Sequence, residues 1–185
     1  MSKTILITGA SSGFGKMTAY ALADAGHTVY ASMRDTKGRN AEQVAAAARH
    51  AAAHSVDLRT VELDVQEQAS VDRAIQTVID EKGGLDVLVH NAGHMVLGAA
   101  EGPTADLQDR VGKGHAAMEP KDADPQAVAR AIASVVELPA GKRPFHITVD
   151  PADMGYEVMA AMGDRIRAEV MRAMGLGDIL TPASA

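Results

Sequence analysis

Continuous apolar runs alternate with polar, helix-forming stretches through the first half of the chain. Thr4 to Ile7 is a short unbroken apolar run centred on Ile5, Leu6 and Ile7, the pattern of a strand buried on both faces of a parallel sheet. Phe14 to Ala25 reads as a helix that stops at Gly26, where a C-terminal glycine is expected. His27 to Met33 reads as a second strand, and Asn40-Ala41-Glu42-Gln43 as the reciprocally capped start of an alanine-rich helix. Arg59 to Leu63 is a third strand ending at Asp64, Ser70 to Glu81 a third helix, and Gly83-Gly84 breaks the chain before a fourth strand, Leu85 to Val89. Strands that alternate with helices through right-handed crossovers give an α/β fold with a doubly wound parallel sheet.

The pattern changes after Gly93. Gly98-Ala99-Ala100-Glu101-Gly102-Pro103 reads as a short connection and Leu107 to Met118 as a polar helix or loop. Asp124-Pro125-Gln126 opens a helix that runs through Val136, with aspartate capping and proline in the first turn. Pro144 to Asp150 reads as a fifth strand, and Glu157 to Met174 as an amphipathic helix ended by Gly175. The expected organisation is strand–helix repeats over 1–93, a connection over 94–124, and a helix–strand–helix tail over 125–185 that closes a shortened sheet of about five strands.

Composition narrows the partners. At 185 residues the length suits one domain. A net charge of −6 with no basic stripe argues against nucleic acid. The absence of cysteine excludes disulfides and thiolate chemistry and fits a reducing, cytoplasmic compartment. No apolar stretch reaches the roughly 18 residues of a membrane span, and the chain opens on a strand rather than a leader, so no membrane partner is expected.

The chemistry sits in the first βα turn. Thr8-Gly9-Ala10-Ser11-Ser12-Gly13-Phe14-Gly15 places glycines, which tolerate positive φ and leave no Cβ in a ligand's way, between a strand and the start of a helix. A tight turn without a ligand could share that spacing, but the strand–turn–helix context favours a dinucleotide, whose diphosphate suits the free N–H groups and positive dipole of the helix start. The motif, T-G-x-x-x-G-x-G, resembles the nucleotide loop of the short-chain dehydrogenase/reductases. Asp64-Val65 after the third strand is similar to that family's adenine-contacting pair, and Asn91-Ala92-Gly93 after the fourth to its N-A-G motif, with His90 where another asparagine is usual. The resemblance implies a Rossmann-like fold and a nicotinamide cofactor held by Thr8, Gly9, Ser11, Ser12, Gly13, Phe14, Gly15, Arg34, Asp64, Val65, Asn91, Ala92 and Gly93. Arg34 stands where the family's NAD users carry an acid, so NADP(H) is favoured over NAD(H). A solvated loop charge is the alternative for Arg34, and Asp35 and Lys37 beside it blur the distinction.

The resemblance also implies a Y-x-x-x-K pair, tyrosine as acid/base and lysine one helical turn on. Tyr20 is followed four positions later by Asp24, Tyr30 by Arg34 and Tyr156 by Ala160, so no such pair can be written and no catalytic residue is assigned. Tyr30 and Arg34 come nearest, but on a strand they lie about 13 Å apart. The family's central catalytic segment is therefore expected to be missing between about Ala99 and Thr104. Three explanations stay open: a short form in which Phe145 to Val149 docks beside the fourth strand, an open edge on that strand that invites a second chain, or a segment omitted from the sequence.

Other candidates are weaker. His50 and His54, four apart on one helix face, have no identifiable third ligand and read as surface histidines, so no metal is expected. His90 and His94 flank the N-A-G turn, and the methionines of the last segment read as flexible core in preference to a pliable contact surface. Two function classes follow: an NADP(H)-dependent oxidoreductase moving hydride to or from a small carbonyl or alcohol, and a non-catalytic NADP(H)-binding module. A homo-oligomer is expected for either.

Overall fold

The computed structural model describes residues 1–93 and 105–180. The Gly98–Pro103 connection, His94 and the expected deletion point lie outside the described residues. The rest divides into two units, the first built from residues 1–93 and 125–133, the second from 105–124 and 134–180.

In the first unit the apolar runs become parallel strands: β1 (Thr4–Ile7), β2 (Thr28–Met33), β3 (Leu58–Glu62) and β4 (Val87–Val89). Between them run α1 (Gly13–Asp24), α2 (Ala41–His54) and α3 (Gln68–Lys82). The strand order is β3-β2-β1-β4, so the chain winds outward to β3 and then crosses back to the other side of β1. β1 sits in register with both neighbours, Leu6 opposite Tyr30 on one side and Leu88 on the other. This is the Rossmann-like parallel sheet that the alternation predicts, with its topological switch point between β1 and β4.

Both faces of the central strands are buried, as their unbroken apolar character requires. Leu6 and Tyr30 join Leu63, Ala74 and Val78 in one core cluster, which places α3 on that face. Strand alternation turns Ile5, Ile7 and Val29 to the opposite face, where all three are fully buried. Chain reversals take the glycines expected: Gly26 at φ +90 after α1 and Gly83 at φ +78 after α3.

Tyr30 is buried, and its hydroxyl donates to Glu81 at 2.7 Å. Arg59 pairs with the same Glu81 and with Asp57 (2.7 Å), and Lys82 also meets Asp57 at 2.8 Å. This chain of charges fastens α3 to β2 and β3 along the edge of the core.

Two local expectations fail. Asn40 does precede α2, but makes no side-chain cap. Its amide instead donates to the Arg34 carbonyl, closing the loop after β2 in place of a reciprocal cap.

The second correction concerns Pro144 to Asp150, which forms no strand: the segment is irregular, bends at Phe145 and joins no ladder, with Phe145 71% exposed. A strand needs a ladder partner for its N–H and C=O groups, and periodicity alone supplies none. Phe145 lies instead under the Arg167 guanidinium, 3.6 Å from the ring centroid, and His146 contacts Asp164 at 3.2 Å. The described sheet therefore has four strands, not about five.

The second unit also holds α4 (Ala105–Met118), the polar segment resolved as a helix, and α6 (Tyr156–Ala173), preceded by Gly155 at φ +83. The helix opened by Asp124-Pro125 is α5 (Gln126–Glu137), whose first residues group with the first unit. Among the described residues no helix is long and apolar enough to cross a membrane.

Candidate functional site

The carboxyl ends of the strands open onto a cavity of about 480 Å³, within the range of small-ligand pockets. Its walls come from four segments far apart in sequence: the loop from Gly9 to Phe14, the end of β2 and its loop (Met33, Arg34, Arg39 and Asn40), Leu63 to Gln66 after β3, and Asn91 to Gly93 after β4. It lies at the switch point, where open α/β sheets bind their ligands.

The glycine loop is shaped for close approach. Gly9 takes φ +68 and Gly13 φ +54, and a Cβ on Gly13 would meet nothing within 4 Å, so its free side faces the opening. Ser12 precedes α1 without a side-chain cap, which leaves the first-turn N–H groups to a ligand.

Thr8 and Gly15 do not line the cavity; they hold it. The Thr8 hydroxyl accepts from the backbone N–H of Asn91 and of Ala92, both at 3.0 Å, and Thr8 N–H donates to Val89 O at 3.0 Å. The Asn91 amide donates to Thr8 O at 2.9 Å and Gly9 O at 3.1 Å. Asn91 thus works as a brace across the two strand ends, with both contacts on the glycine loop. A Cβ on Gly15 would strike the Asn91 amide and stand 2.6 Å from Gly9 O, which is why the third glycine is required.

Around the Arg34 side the cavity continues into a second hollow of about 400 Å³, lined by Arg34, Asp35, Arg39, Asn40, Glu62, Asp64 and Ser70. Arg34 stands 3.8 Å from Asp64 and is half exposed, a loose ion pair of small worth. Glu62 is committed to Thr36, whose hydroxyl and N–H donate to it and hold its carboxyl below the ordinary range. Asp35, at φ +48, accepts from Arg39 N–H at 2.9 Å and so turns the loop. Sequence reading missed Met33, Arg39, Asn40, Leu63 and Gln66 as lining residues. Arg39 had a legible signal, a second arginine in the same loop as Arg34.

The three tyrosines are elsewhere. Tyr20 stacks on His50 with ring centroids 4.1 Å apart, Tyr30 is buried, and Tyr156 begins α6; none lines the cavity. His90 is exposed at the end of β4 and is not among the lining residues. His50 and His54 do share a face, and the structure adds what spacing could not show: Asp24 of α1 meets both.

A parallel α/β sheet with a glycine loop at its switch point defines a nucleotide-binding type of protein. Comparison with known proteins makes this specific. The model of the short chain dehydrogenase family matches residues 3–113, more than half of the chain, and the chain belongs to that family. It is 40% identical over 97 residues to 3-ketodihydrosphingosine reductase of Bacteroides thetaiotaomicron, a match covering 52% of this chain and 30% of that protein. An NADPH-dependent pterin aldehyde reductase of Arabidopsis thaliana is 34% identical over 92 residues, covering 50% of this chain and 36% of the relative. Among solved structures, an actinorhodin polyketide ketoreductase variant with NADPH aligns at 28% identity and TM-score 0.48, over 60% of this chain and 40% of that one. The chain spans only about a third of the length of the two curated relatives.

Proposed function

We propose that the cavity holds a nicotinamide dinucleotide, NADP(H) in preference to NAD(H), and that the chain is the cofactor-binding half of a short-chain oxidoreductase acting on a carbonyl or alcohol. The observation that carries this is the convergence of the uncapped α1 start, Arg34, Asp64-Val65 and Asn91 to Gly93 on one cavity. In this reading the Gly9–Phe14 loop and the first turn of α1 take the diphosphate, and Asp64-Val65 flank the adenine. Arg34 and Arg39 take the 2′-phosphate, a dianion that displaces the weak Arg34–Asp64 contact. The name of the NADPH-dependent relative adds support. Bound there, the nicotinamide supplies the hydride donor or acceptor.

Binding and turnover separate in this reading. Hydride transfer to a carbonyl needs an acid beside the developing alkoxide, and none of Tyr20, Tyr30 and Tyr156 lines the cavity. The second reading, an NADP(H)-binding module without turnover of its own, rests on the sequence, in which no tyrosine has a lysine four positions on.

Calorimetric titration of the 185-residue chain with NADPH and NADH tests the site. NADPH binds at least about tenfold more tightly, a difference of about 1.4 kcal/mol, and Arg34→Glu removes most of it. Failure of both cofactors to bind sinks the reading. Oxidation of NADPH with a panel of carbonyl compounds at an enzyme-like rate would overturn the second.

A further inference from the structure

We propose that Asp24, His50 and His54 form a binding site for a divalent cation of borderline softness, of which zinc is the type, fastening the end of α1 to α2. His50 and His54 lie one turn apart, so both rings leave the same face of α2. Asp24 is the last residue of α1. One of its carboxylate oxygens, Oδ1, stands 2.8 Å from His50 Nε2 and 3.2 Å from His54 Nδ1, and one donor atom from each residue falls within 4.8 Å of the others. Zinc bonds of about 2.0–2.1 Å at tetrahedral angles set ligand atoms about 3.3 Å apart, so the three groups need to move little.

Electrostatics and packing favour the same occupant. Asp24 and His54 are the final residues of their helices, where unsatisfied carbonyls make the local field negative. A carboxylate is misplaced there by itself, and a cation is what that field stabilises. His50 is held between the Tyr20 ring at 4.1 Å and the His54 ring at 4.0 Å, which fixes its orientation before any ion arrives. Its side chain is 13% exposed, while Asp24 and His54 remain open at 40% and 51%. Water can therefore complete the coordination from the solvent side. Two imidazoles with a single carboxylate select zinc, cobalt, nickel or copper over magnesium and calcium, which prefer oxygen donors. The helix so fastened is the one whose other end begins at the glycine loop.

The test uses the full, untagged chain freed of metal by chelation. Zinc chloride raises its melting temperature by several degrees, cobalt chloride gives the visible absorption of a tetrahedral nitrogen–oxygen site, and magnesium chloride does neither. His54→Gln and Asp24→Asn, both surface changes, each weaken zinc binding at least tenfold by calorimetry and leave the metal-free melting temperature within a few degrees. No response to zinc overturns the site, and so does a response that survives both substitutions, which would place the ion on other histidines.

Discussion

Thr8→Val removes one hydroxyl and keeps the side-chain shape, so it isolates the lock between the glycine loop and the N-A-G turn. Thr8 is 5% exposed, and its Oγ1 accepts from Asn91 N and Ala92 N, each at 3.0 Å. Without the hydroxyl the half-buried Asn91 N–H loses its partner, at about 1–3 kcal/mol, whereas Ala92 is exposed and its N–H can turn to water for about 0.5 kcal/mol. The expected loss is about 2 kcal/mol, or about 4–8 °C of melting temperature for a chain of this length. Thr8→Ser keeps the hydroxyl and forfeits only a buried methyl, about 0.8 kcal/mol. The two variants differ most in ligand binding: serine retains NADPH affinity, and valine weakens it at least about tenfold because the N-A-G turn loses its two backbone ties to the hydroxyl, leaving only the Asn91 amide on Thr8 O and Gly9 O to hold it. Thermal unfolding with and without NADPH reads both quantities. A valine variant that melts within 2 °C of wild type, by that ~2 kcal/mol scale, and binds NADPH unchanged would refute the reasoning.

Three further outcomes follow from the same geometry. Gly9→Ala forces a Cβ to 2.8 Å from the Ala92 backbone at φ +68, so NADPH binding is lost and the melting temperature falls, both read in one thermal-shift titration. Burial pushes the Asp57 carboxyl upward, but hydrogen bonds from Arg59, Lys82 and Thr28 outweigh it and hold the group well below the usual carboxylate range. The stability it contributes is present above the unfolded value of about 3.9 and drains away as pH falls toward the folded one. The gap in urea midpoint between wild type and Asp57→Asn should therefore narrow as pH drops from about 5 toward 3, and a constant gap would refute the assignment. Burial, reinforced by donation to Glu81, pushes the Tyr30 phenol up to about 12; its contribution holds below the ordinary value of 10.0 and fades as pH rises through 12. Ultraviolet titration should show one phenol ionising late in wild type and missing from Tyr30→Phe.

What could be read from the sequence was local. The strand β1, the glycine turn and α1 form one contiguous stretch, so apolar run, positive-φ glycines and helix start all point the same way. The parts that escaped reading depend on partners distant along the chain. Thr8 meets Asn91 across 83 residues, and Asp24 meets His50 across 26, separations that no spacing rule spans. Pro144 to Asp150 has strand periodicity but no ladder, and its aromatic ring contacts a guanidinium instead of a sheet. Asn40 has the residue type of a cap, yet its Nδ2 donates to the Arg34 carbonyl and its side chain makes no cap on α2.

The lock at Thr8 also explains how the site depends on the sheet. β1 lies between two strands and its Ile5, Leu6 and Ile7 are fully buried, so Thr8 and Gly9 start from rigid ground. Asn91 and Ala92 follow β4, a three-residue strand at the edge of the described sheet, whose Leu88 is 41% exposed. Short edge strands open at lower free energy than central ones. The wall formed by Asn91 to Gly93 is therefore the soft side of the cavity, and the hydrogen bonds to Thr8 and Gly9 transfer the rigidity of β1 to it. A ligand that contacts both walls must bind more tightly to the locked arrangement than to an opened one, and by linkage it stabilises β4 to the same extent. Edge order and cofactor affinity are then one equilibrium measured at two places.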